Sequence, residues 1–247
     1  MKNENSMLFS NIGKAYGLKI PGENSKSELN LAPGEEIVAT VSSSDADSDK
    51  CILLATNQGT LKKTAVKEFA NAKTLGIIAI KLDKGESLVA AMLTGGKDEL
   101  MLVSKGGKVL RTSGEALRVM GRASHGVRGM KLGKDDTLLT VLPVKKGASM
   151  LFVSKNGIGK RCAFDTFSPH GRGTSGQRAY GVNERTGALA AAVSVRDDDE
   201  VILLTSENKS IPLIAKDVPV YGASASGVHV GKIANSDFVI GLDGGNT

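Results

Sequence analysis

The apolar residues of this chain fall into short runs, each stopped by a polar turn. A first run recurs at residues 7–11, 51–56, 100–105, 150–155 and 201–206. The turns that follow read Asn11-Ile12-Gly13, Asn57-Gln58-Gly59, Lys105-Gly106-Gly107, Lys155-Asn156-Gly157 and Glu207-Asn208-Lys209. Four end in glycine and the fifth holds Asn208, the residue types that accept the positive φ of a tight hairpin. A second short run follows each turn. A second glycine then stands at Gly76, Gly126, Gly176 and Gly227, at spacings of 50, 50 and 51 residues, and opens runs 76–82, 126–132, 176–182 and 227–233. Ser25 takes that place in the first repeat. A fourth run closes each unit at 37–42, 88–94, 138–144, 189–195 and 238–242. Runs this short read as strands. The best helical candidate, residues 65–72, is two turns at most.

Four strands with a period of about 50 residues suit a propeller blade. The expected fold is therefore all-β and propeller-like, with about five four-stranded blades. It forms a single repeat domain over residues 1–247, with units near 7–50, 51–98, 99–148, 149–199 and 200–244. A length of 247 residues would otherwise allow two ordinary domains. No Trp-Asp pair is present, so the common WD type is excluded.

Composition narrows the function classes. No run of eighteen apolar residues exists, and residues 1–10 lack the apolar core of a signal peptide, so no membrane is expected. Cys51 and Cys162 are far apart and form no CxxC, and His125, His170 and His229 are dispersed. Neither set suggests a metal site. No cofactor is expected either, and two thiols without a secretion signal fit a reducing cytoplasm. The string Gly171-Arg172-Gly173-Thr174-Ser175-Gly176 matches GxGxxG, but Pro169-His170 precede it and a strand-like run follows. A dinucleotide site needs a strand before and a helix after. With 30 glycines in the chain, a chance match is the ordinary explanation.

The net charge of +6 is uneven. Residues 101–150 carry ten lysines and arginines against three acids, and residues 116–134 contain no acid at all. Basic residues recur in two places of the repeat. The first is the second strand, with Lys62 and Lys63, then Arg111, then Lys160 and Arg161. The second is the segment before and into the third strand, with Lys73, then Arg118, Arg122, Arg128 and Lys131, then Arg172 and Arg178. Taken singly these are ordinary solvated charges. Repeated at equivalent blade positions, they predict a basic track for a polyanion. Aromatics are only 4% and tryptophan is absent, which disfavours the stacking used by single-strand binders and favours duplex DNA.

Three stretches carry a family resemblance: Thr56 through Thr64, Met120-Gly121 through Gly126-Val127-Arg128-Gly129, and Asn156 through Arg161. They resemble the C-terminal domain of the DNA gyrase A protein, and more distantly its counterpart in topoisomerase IV. The resemblance covers about residues 7–244. It implies a β-pinwheel with strands exchanged between neighbouring blades and a basic outer rim that wraps DNA. On this basis the rim holds Lys62, Lys63, Arg111, Lys160 and Arg161 with the arginines around Gly126 and Gly176. Two repeats depart from the pattern. Ile211-Pro212-Leu213 stand where cations are expected, and Lys14 is followed by Ala15-Tyr16-Gly17. The chain resembles blades two to six of the usual six, without the basic box of the first. Tyr16, Tyr180 and Tyr221 do not match the family's DNA-attacking tyrosine. The expectation is a cytoplasmic, nucleoid-associated DNA-bending module with no cleavage, ATPase or supercoiling alone. The alternative is a module that docks on gyrase or topoisomerase IV subunits, suggested by the near-neutral last repeat. An enzyme with a central site has no residue constellation behind it.

Overall fold

The computed structural model describes residues 5–18, 29–43, 49–234 and 236–244; Ser25 lies outside them. Nineteen strands follow one another among the described residues. They are β1 (Asn5–Ser10), β2 (Lys14–Leu18), β3 (Ile37–Ser43), β4 (Cys51–Thr56), β5 (Thr60–Ala65), β6 (Ile77–Ile78) and β7 (Leu88–Thr94). Next come β8 (Glu99–Ser104), β9 (Lys108–Ser113), β10 (Val127–Arg128), β11 (Leu138–Pro143), β12 (Ser149–Ser154) and β13 (Ile158–Ala163). The last are β14 (Gln177–Arg178), β15 (Leu189–Val195), β16 (Glu200–Thr205), β17 (Ser210–Ile214), β18 (Val228–His229) and β19 (Val239–Gly244). The all-β reading therefore holds. The helical candidate is a single 3-10 turn, Val66–Phe69.

The chain groups into two compact units. The first takes residues up to Asp98 with Ser113–Gly129, and the second takes Glu99–Thr112 with Met130 onward. The first unit holds two antiparallel sheets, ordered β3-β1-β2-β6 and β10-β5-β4-β7. The second holds β11-β8-β9-β14, β15-β12-β13-β18 and the three-stranded β17-β16-β19. In each four-stranded sheet the outermost short strand comes from the following repeat. It is only two residues long, because the chain crosses the preceding repeat's second strand and leaves again. Gly126 and Gly227 show why glycine opens this crossing. A Cβ at Gly126 would lie 2.5 Å from the Leu61 carbonyl, and one at Gly227 would press on the Gly159 carbonyl.

The hairpin tips match the turn reading at all five places. Gly13, Gly59, Gly107, Gly157 and Asn208 have φ of 78°, 82°, 81°, 71° and 61°. A register shift recurs where the first strand of each sheet meets its fourth-run partner, as between Ala55 and Thr56. Each adds one unpaired residue there and strengthens the local twist.

Burial explains the unbroken apolar runs. In the first unit Phe9 and Phe69 pack edge to face at 5.6 Å within a cluster that includes Met7, Ile52 and Leu54. Leu8, Tyr16 and Leu18 cluster with Leu29. In the second unit, Met101 and Val103 meet Met150, Phe152 and Phe167, while Leu151 and Val153 meet Val201, Leu203 and Val218. Strands β4 and β12 are buried at every residue. Strand β16 alternates instead, with Ile202 39% exposed, so the three-stranded sheet covers one face only.

Candidate nucleic-acid interface

The second-strand cations turn away from solvent, which departs from the expected surface track. Lys62 and Lys160 are fully buried, and Lys63 and Arg161 nearly so. The Lys62 ammonium donates to the carbonyls of Ala79 at 2.8 Å, Ser124 at 3.1 Å, and Arg122. Lys160 donates to Gly222 at 2.9 Å and Ala223 at 3.0 Å, and lies 5.8 Å from the Tyr180 ring centre. Each therefore grips the loop of the next repeat at the same level.

The neighbouring position forms a second grip. Lys63 donates to the Gly114 carbonyl at 3.0 Å, Arg161 Nε to Val218 at 2.7 Å, and Arg111 to Phe164 and Phe167 at 3.4 Å each. These acceptors sit on or beside the 3-10 turns Gly114–Ala116, Phe164–Thr166 and Ala215–Asp217 of the following repeats. Acids complete the arginine sites: Glu99 and Asp165 on Arg111, at 2.6 and 2.9 Å, and Asp197 on Arg161 at 2.5 Å. The backbone reinforces the grip. Lys63, Arg111 and Arg161 form parallel bridges with Val119, Pro169 and Val220.

Burial has electrostatic consequences. Desolvation, with Arg122 nearby, pushes the Lys62 ammonium down to about 8. Burial also lowers Lys160, against the opposing influence of the Cys162 thiol. Arg111 is raised, chiefly by its hydrogen bond to Glu99. Both cysteines are buried free thiols, and burial raises them.

The loop and exchange-strand cations are placed differently. Lys73, Arg118, Arg128, Lys131, Arg172 and Arg178 are exposed. Arg122 is half-buried and donates to the Ile78 carbonyl at 2.9 Å. Register places Ile78, Arg128, Arg178 and His229 at one equivalent position of four sheets, opposite Lys14, Thr60, Lys108 and Ile158. Arg178 and Lys108 thus stand directly across from each other, both exposed, and neither is in an ion pair among the described residues. Lys108 was absent from the sequence-derived set. Its signal was the residue after the turn glycine, which is lysine again at Lys14. The GxGxxG string lies in the loop before β14 and leads into a strand, with no helix after it.

The DNA gyrase C-terminal domain, beta-propeller family matches four stretches of the chain, residues 52–94, 98–145, 148–203 and 199–243. The chain belongs to this family. The DNA gyrase A protein of Pseudomonas aeruginosa is 36% identical over 97% of the chain, and that of Escherichia coli 31% over 97%. The chain spans about a quarter of the length of these relatives, 26% and 29%. Among solved structures, a DNA gyrase A C-terminal domain superposes with a TM-score of 0.86 at 28% identity, covering all of this chain and 84% of that one. The C-terminal domain of a DNA topoisomerase IV superposes at 0.89 with 21% identity, over 98% of this chain and 79% of that one, and agrees in fold. The propeller-like fold expected from the repeats, and the gyrase type implied by the resemblance, are thus both those of this family.

Proposed function

We propose that this gyrase-type propeller is a duplex-DNA-binding and bending module, acting within type II topoisomerase machinery and carrying no catalytic step itself. The observation that carries this reading is the Lys108–Arg178 pair. Like charges directly opposite on adjacent strands repel, and an anion between them reverses that cost. Arg118, Arg128 and Lys131 add exposed charge along a segment without acids. Phosphates answer such an arrangement without base readout. Seven of the nine aromatics are buried, leaving Tyr221 and Phe238 exposed, so the chain offers little for stacking single strands.

Fluorescence anisotropy with a labelled duplex tests it. Affinity is expected to fall steeply and log-linearly with salt, and an equal-length single strand to bind more weakly. Salt-insensitive binding, or none at low salt, would refute it.

A second reading rests on the three-stranded last sheet. Ile202, Ile214 and Ile240 are exposed there, and the repeat is near neutral, with four acids against three lysines over residues 201–247. That face suits docking on a protein, for instance gyrase or topoisomerase IV subunits, better than it suits a phosphate backbone. Co-purification with topoisomerase subunits from nuclease-treated extract would favour it.

A further inference from the structure

We infer that Lys62 is a positioning residue: it holds the loop bearing Arg118, Arg122 and Arg128 in place and does not touch phosphate. The inference rests on the DNA-binding reading for its functional arm. Lys62 has no exposed surface, and its ammonium is occupied by three carbonyls. Two of them, those of Arg122 and Ser124, belong to the loop itself. An ammonium has three protons, so this set uses all of them. The loop is tied at two further points. The Lys81 amide donates to the Ser124 carbonyl at 3.1 Å, and the Met120 amide to Lys63 at 2.8 Å. Arg122 in turn reaches back to Ile78. Removing the ammonium takes two ties, those to the Arg122 and Ser124 carbonyls, from the centre of the loop between Arg118 and Arg128. The Lys81 amide and the Arg122–Ile78 contact remain there.

The chain supplies its own comparison. Lys160 makes the same kind of grip on Gly222 and Ala223, yet residues 218–227 carry no cation. A lysine kept buried over an uncharged loop is not there for phosphate. The third repeat has Leu110 at the equivalent place, so the fold accepts leucine in this register.

The test compares Lys62→Leu, Lys62→Arg and Lys160→Leu. Amide hydrogen exchange without DNA and salt-dependent duplex affinity are the readouts. In Lys62→Leu, amides of residues 119–126 should exchange faster, and duplex affinity should fall roughly tenfold, about the weight of one well-placed interaction. The salt slope should stay within a few tenths of the wild-type value. Lys160→Leu should loosen residues 220–226 and leave duplex affinity unchanged. Lys62→Arg should restore part of the affinity. A slope reduced by about 0.9, the signature of one phosphate no longer neutralised, with unchanged loop exchange would overturn the inference. So would equal affinity losses in Lys62→Leu and Lys160→Leu. If the wild-type chain binds no duplex, the DNA-binding reading fails by itself, and loop exchange alone still decides whether Lys62 positions the loop.

Discussion

A buried ionisable side chain reports its neighbours, and Asp237 does so at the tip of the last hairpin. Its carboxylate accepts from Ser206 Oγ at 2.8 Å and from the amides of Glu207 and Phe238 at 3.1 and 2.9 Å. Desolvation pushes its pKa up, but hydrogen bonds from Thr205, Ser206 and these amides outweigh it and hold the group at about 2. An unfolded aspartate binds its proton near the ordinary 3.8. Between those values the unfolded chain holds more protons, so this group's contribution is complete above about pH 4 and is lost as pH falls through 2. Chemical denaturation at pH 4 and pH 2 should show that Asp237→Asn is less stable than wild type at pH 4, with a smaller further loss at pH 2. A variant that loses as much as wild type over that window would remove Asp237 from the acid response. The second-strand cations are legible in the sequence only in part. Their recurrence is readable, whereas their inward direction is shown by the structure, where Lys62 and Lys160 are fully buried. The signal was present: the place held by Lys62 and Lys160 is Leu110 and Ile211 in other repeats. A register shared by lysine and leucine is a covered one, and the lysine must then find acceptors.

Strands and turns were more legible than side-chain direction because their causes are local. Turn glycine, β-rich run and period suffice to place the hairpins, and all five tips take positive φ. The third run was legible only as a run. Seven apolar-leaning residues became a two-residue ladder, because its partner belongs to the preceding repeat and no local pattern encodes that exchange. The crossing glycines are the element's test. Gly227 combines φ of 91° with a Cβ position pressed onto the Gly159 carbonyl, while Gly34 has φ of 76° and open space around it. Gly34→Ala should cost ~1–2 kcal/mol, the left-handed conformation alone. Gly227→Ala should cost about 4 kcal/mol, adding a steric clash with backbone. It should also free the Val230 amide from the Gly157 carbonyl, now 3.0 Å away. Urea melts with hydrogen exchange at Val230 check both. Equal costs for the two variants would mean that the crossing is not fixed by steric fit.

For the whole molecule, the decisive quantity is where charge is left unanswered, and one register position separates the cases. Lys14, Lys108 and Lys209 each follow a turn residue; the first two open a second strand, and Lys209 immediately precedes one. Lys14 lies 3.8 Å from Glu35, and Lys209 lies 2.7 Å from Glu207 and 3.6 Å from Asp237. Lys108 faces Arg178 instead. Identical residues at one repeat position thus do different work, since the acids around them differ from repeat to repeat. A polyanion gains from displacing counterions at Lys108 and Arg178, but at Lys209 it must compete with two carboxylates already in place. The salt dependence of duplex binding resolves these cases. Lys108→Ser and Arg178→Ser together should reduce the log–log slope by about 1.8, near 0.9 for each phosphate left without its cation. Lys209→Ser should leave the slope where it was. Both sets of side chains are at the surface, so thermal stability should change little in either. If the Lys209 variant lowers the slope as much as the double variant does, the basic face extends into the last repeat, and the acids there do not screen it.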